Sequence, residues 1–183
     1  MAVPTDVRTP PRGAHLAIFL WGVLCVVLFL SSAVFRMAPY ALEVIGELGA
    51  LQWALVGAWI FFMVYAEGYR GFHLRFSPRV VARAYHLGTP AGRKPLHVVL
   101  ALFYSMAIFH TTKRQRIVSG VFLTFLVLLI VLVRQLPQPA RGMVDMGVVV
   151  GLSMGILSIL YHSLRAAGGT VPQDAALPES AQT

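Results

Sequence analysis

The sequence predicts an all-α integral membrane protein: a small multi-pass helical bundle with four full spans and a short re-entrant or interfacial segment. Three observations carry that reading. The chain of 183 residues is 57% hydrophobic and only 12% charged, where soluble domains average roughly 45–50% apolar and about 25% charged. Its mean hydropathy is +0.73. Its apolar residues come in blocks, which lipid contact on several sides explains better than one buried stripe.

Lys and Arg flank those blocks. The net charge of +8 therefore reads as topology signals and contacts to anionic headgroups, and no nucleic-acid partner is expected. Cys25 is a lone cysteine inside an apolar run. It has no disulfide or metal partner in the sequence and reads as a small buried apolar residue.

The first span covers residues 14–35, behind Arg8 and Arg12. Its apolar region exceeds the about 7–15 residues of a signal-peptide core, so it reads as a retained anchor behind a cytoplasmic tail, residues 1–13. The second span covers 48–66. Its helix can begin near Tyr40, because Pro39 suits a helix entry, and can run on into "EGYRGFHLRF", an aromatic and basic mixture suited to an interface. A later block, 117–133, lies between Arg116 and Arg134 at the short end of the spanning range, and both arginines can snorkel. "LPQPARG" then turns the chain into the last span, 143–164.

Between these lies the apolar segment 96–109. As a helix it reaches about 21 Å, short of a core about 30 Å thick. If it stays on one side and the N-terminus is cytoplasmic, only Arg36, Arg134 and Arg141 lie outside. If it crosses, Lys113, Arg114, Arg116 and Arg165 move outside while Arg134 and Arg141 move inside. The first arrangement obeys the positive-inside rule more cleanly and returns both termini to the cytoplasm. Five spans is the alternative. A bacterial inner membrane is the expected location.

The longest polar stretch contains "SPRVVARAYHLG". Ser77 reads as an N-cap, Pro78 as the first helical residue and Gly88 as the stop. On a wheel, the apolar residues of 78–87 take one broad arc and Arg79, Arg83 and His86 gather opposite. That pattern predicts a short amphipathic helix lying flat on the membrane, Arg79 and Arg83 toward lipid phosphates, with docking of an acidic partner as the alternative. Residues 167–183 are small, polar and proline-containing, and predict a disordered tail.

Three sets of residues could carry function. Gly147, Gly151 and Gly155 repeat every four residues, a glycine-zipper spacing, and Ser158 and His162 continue their face. That pattern predicts close helix packing, within the bundle or across a homo-oligomer. Glu43 and Glu47, read as one turn apart at the start of the second helix, form a candidate ion or proton site, against the plainer reading of acidic residues favoured at a helix N-terminus. Among six histidines, His162, His15 and His97 are the candidates for a haem or metal, although none stands in a recognised ligand spacing. No cofactor is predicted.

No phosphate loop, nucleophile elbow or zinc spacing occurs. The expected role is a non-enzymatic accessory, assembly or scaffold subunit of a membrane complex, with other membrane subunits or a second copy as partners. A small transporter or channel, and a metal- or haem-binding membrane protein, are the competing expectations.

Overall fold

The computed structural model describes residues 3–90, 92, 97, 98, 100–106, 131, 133 and 135–174. The expected span at 117–133, apart from residues 131 and 133, and the whole basic cluster Lys113–Arg116 therefore lie outside the described residues, as does the crossing of segment 96–109. Among the described residues, three helices are long and apolar enough to cross a membrane: Ala14–Glu43, Ala50–Gly88 and Ala140–Ala167.

Helix α1 (Ala14–Glu43) contains Pro39 in its interior. The expected helix entry at Pro39 is thus corrected. A proline in a helix forfeits one backbone hydrogen bond, but packing of the last turns outweighs that loss. Ala41 and Val44 are buried against Val56 and Met146. The turn after Glu43 ends at Gly49, whose N–H donates to the Gln52 side chain at 2.8 Å and so caps the next helix.

That next helix is continuous over 39 residues. It comprises α2 (Ala50–Met63), a π-helical segment (Val64–Phe76) and α3 (Ser77–Gly88). Ser77 and Pro78 do not start a new helix. The Ser77 N–H still bonds the Phe72 carbonyl in the π pattern, and Pro78 follows without a break.

Helix α3 also departs from the expected surface helix. It is buried all round except at Arg79. Helix α1 covers it closely: a Cβ at Gly22 would sit 3.1 Å from the Ala84 Cβ, and Phe19 meets the Tyr85 ring. The described part of segment 96–109 includes α4 (Ala101–Ser105), which packs Ala101 and Tyr104 against Leu87. Arg83 is only 1% exposed, and its Nε donates to Asp174 Oδ2 at 2.7 Å. The headgroup contact expected for Arg83 is therefore corrected, while Arg79 is exposed as that reading requires. A helical wheel assigns a solvated face to charge; it cannot show a counter-charge arriving from the far end of the chain.

Asp174 arrives on a segment expected to be disordered. Helix α5 (Ala140–Ala167) ends in a turn at Gly168 and Gly169, the latter at φ 94. Strand β2 (Thr170–Pro172) then pairs antiparallel with β1 (Thr5–Val7), Asp6 opposite Val171. Tyr85 Oη donates to the Thr9 carbonyl at 2.8 Å. The first and last described segments thus close over α3 at one end of the bundle.

Removing one partner of a buried ion pair leaves the other charge uncompensated, at a cost of about 3–5 kcal/mol. Arg83→Met is accordingly expected to lower thermal stability in mild detergent and to speed proteolytic release of the C-terminal segment. Arg79→Met should do neither, and the double variant Arg83→Met/Asp174→Leu should recover most of the loss.

Candidate functional site

Helix α5 and the 50–88 helix run side by side, and the glycines set how closely. A Cβ added at Gly147 would collide with the Trp59 indole. At Gly151 it would lie 3.0 Å from Glu67 Oε2, and at Gly155 2.7 Å from the Phe72 ring. Three glycines at four-residue spacing thus receive large side chains in turn: Trp59 and Met63 at Gly147, Glu67 at Gly151 and Phe72 at Gly155. The step from Glu67 to Phe72 is five residues, which the π segment accommodates by placing one extra residue in the turn. The partner of the glycine face is this chain's own second helix.

The packing brings polar groups together along the same seam. The Trp59 indole N–H donates to the Val144 carbonyl at 3.1 Å. His73 Nδ1 and Ser158 Oγ are hydrogen-bonded at 3.0 Å. His162 is 2% exposed; its Nε2–H donates to the His73 carbonyl at 3.3 Å. The two imidazoles lie 5.1 Å apart by ring centroid. His73 also stacks on Tyr69, which stacks on Tyr65. Glu67 Oε2 is sealed from solvent and has no hydrogen-bond partner. One seam therefore holds a carboxyl, two imidazoles and a hydroxyl, all groups able to hold a proton.

Of the sequence candidates, Gly147, Gly151, Gly155, Ser158 and His162 meet in this seam. His15 is elsewhere, its Nε2–H donating to the Tyr85 carbonyl at 3.0 Å. His97 stacks on Tyr104 at 4.9 Å. Each of the three histidine candidates thus has a different local partner. Among the described residues no group of three or more His, Cys, Asp or Glu is placed to hold a metal ion.

Glu43 and Glu47 are corrected as a pair. Glu43 is the last residue of α1 and Glu47 lies in the following turn, both exposed. They do not share a helix, because α1 continues through Pro39 where the sequence suggested that a new helix starts. Glu43 accepts a hydrogen bond from Gln138 Nε2 at 3.1 Å.

Glu67 and His73 were not singled out by their sequence context. "EGYRGFHLRF" has the composition of an interfacial belt, and that is how it reads in isolation. The usable signal was the glycine face: a stripe without side chains requires large residues opposite, and the helix carrying Trp59 supplies them.

Comparisons with known protein families, with characterised proteins and with solved structures find no match to this chain.

The seam makes opposite forecasts for two glycines. At Gly155 an added methyl meets a ring at 2.7 Å, an overpacking that costs about 1–3 kcal/mol. Gly57 has nothing within 4 Å of its Cβ position, so alanine there should be neutral or add up to about 1 kcal/mol through helix propensity. Thermal unfolding of Gly155→Ala and Gly57→Ala in the same detergent measures the contrast.

Proposed function

We propose that this chain is a non-enzymatic accessory or assembly subunit of a larger membrane complex, and that it docks through the outward face of α2. The observation that carries the reading is the apolar exposure of that helix. Leu51, Trp53, Leu55, Phe61 and Phe62 all stand out from the bundle, Phe61 with 76% of its surface free. Large aromatic side chains exposed over a broad arc of the helix fit a protein–protein contact as well as lipid. The same side carries a shallow groove of about 240 Å³ between α2 and α5, lined by Leu55, Val56, Trp59, Ala140, Met143 and Val144. A neighbour's side chain fits a groove of that size.

The glycine face and α3, two surfaces that in the sequence suggested docking, are occupied by the chain itself. Exposed apolar residues also occur on α1 and α5, and we assign those to lipid and α2, beside the groove, to a partner. Exposed Arg79 keeps a role toward anionic headgroups. In this reading the termini lie together on the cytoplasmic face of a bacterial inner membrane, in keeping with the positive-inside rule. The transporter reading has less support, since Glu43 and Glu47 sit on the surface in different elements. A haem or metal reading has less as well, with His15, His97 and His162 dispersed.

A photoreactive residue at Phe61 in native membranes tests the proposal, with buried Val56 as the control position. The expected outcome is one discrete protein adduct from position 61 only, together with loss of the co-purifying subunit in Phe61→Ala/Leu55→Ala. Lipid adducts alone, with a monomeric particle in mild detergent, would overturn it.

A further inference from the structure

Glu67 is the carboxyl among the described residues with an oxygen that is both buried and without a hydrogen-bond partner. Glu67 itself is half-buried, and the two buried carboxyls among the described residues are paired: Asp174 with Arg83 at 2.7 Å and Asp145 with Arg141 at 3.8 Å. Glu67 points at Gly151, near mid-length of α5, where a methyl group would lie 3.0 Å from its oxygen. Its neighbour Gly68 faces Met154, with the sulfur 2.9 Å from the Cβ position. The seam at this level is thus backbone, thioether and apolar side chain.

Glu67 is half-buried, but its sealed Oε2 has neither a hydrogen-bond donor nor a counter-charge, and a carboxyl held that way favours its protonated form. The titratable and charged groups on the packed elements do not change this. Along α5 the nearest in sequence are Asp145, already paired with Arg141, Tyr161, which is exposed, and His162, whose Nε2–H is committed to the His73 carbonyl. Along α1 there is none between His15 and Arg36 apart from Cys25. On its own helix, Arg70 is exposed, Tyr65 and Tyr69 stack outward, and His73 is bonded to Ser158. No ion pair reaches Glu67 among the described residues.

We propose that Glu67 is a proton-binding site: its carboxyl holds a proton in the folded protein, and release of that proton opens the seam between the π segment and α5. The π geometry fits this role, since π turns inside α-helices are frequent at functional sites. The proposal is independent of docking at α2, because Glu67 lies on the seam and not on the outward face. The sign of the pH dependence follows from linkage. The closed seam binds a proton that the open or unfolded chain releases at neutral pH, so stability falls as pH rises.

The test uses the full chain in lipid vesicles near neutral pH. Infrared spectra of wild type and Glu67→Gln are compared in the region of the protonated carboxyl C=O stretch. The expected result is a carboxylic-acid band in wild type that is absent from Glu67→Gln and retained in Glu43→Gln and Glu47→Gln. Glu67→Gln, which is neutral and isosteric, should also abolish the loss of thermal stability on going to alkaline pH. A folded Glu67→Gln with an unchanged carboxylic-acid band would overturn the proposal. If that variant fails to fold, wild type alone decides through a lipid-soluble carbodiimide, which adds to protonated carboxyls. An adduct mapped to Glu67, declining with rising pH and not reproduced by a water-soluble carbodiimide, sustains the site; an unmodified Glu67 sinks it.

Discussion

At Gly147, Gly151 and Gly155, α5 presents bare backbone, and the second helix fills the space with Trp59, Glu67 and Phe72. The rest of the described bundle depends on that approach. Inside a membrane, helices gain little from hydrophobic association, so packing depth and interhelical polar contacts must hold them together. The close seam supplies both. It lets the Trp59 indole reach a carbonyl of α5, and it brings His73 within hydrogen-bond distance of Ser158. It also seals Oε2 of the Glu67 carboxyl, so that in our proposal packing and protonation become one equilibrium.

The second constraint is the clamp at the terminal end. An arginine as buried as Arg83 is tolerated only with a counter-charge and hydrogen bonds. Asp174 brings the charge, and the β1–β2 ribbon holds the segment that carries Asp174 in place. The clamp explains why α3 can sit inside the bundle despite its arginine. It also ties the first and last described segments to the middle of the chain, so that α1, α3 and α5 form one packed unit around Phe19, Val81, Tyr85 and Ile159. The seam holds the 50–88 helix from Trp59 to Phe72 and the clamp holds α3, while the side of α2 turned away from α5 stays exposed.

Much of the helix layout was legible from sequence because it rests on composition. Residues 14–35 and 143–164 lie within α1 and α5, and the 48–66 block begins the second long helix. The glycine face was legible as a packing face, since small residues at four-residue spacing have few other uses in an apolar helix. What it packs against was not, because a stripe without side chains says nothing about its partner. The punctuation at Ser77 and Pro78 misled for a related reason. Local capping preferences amount to about 1 kcal/mol, and burial of α3 on several sides outweighs them. The same applies at Pro39, where Ala41 and Val44 are anchored by α2 and α5.

The sequence by itself determined that this is a helical membrane protein with a close-packing face on its last described helix. Apolar blocks of spanning length leave the backbone no other way to satisfy its hydrogen bonds in lipid. Only the tertiary structure decided which polar groups meet. Arg83 and Asp174 are 91 positions apart, and Glu67 faces a glycine on another helix. Periodicity records which face of a helix a residue occupies. It carries no record of what stands opposite, and the opposite group determines whether a charge is solvated, paired or protonated.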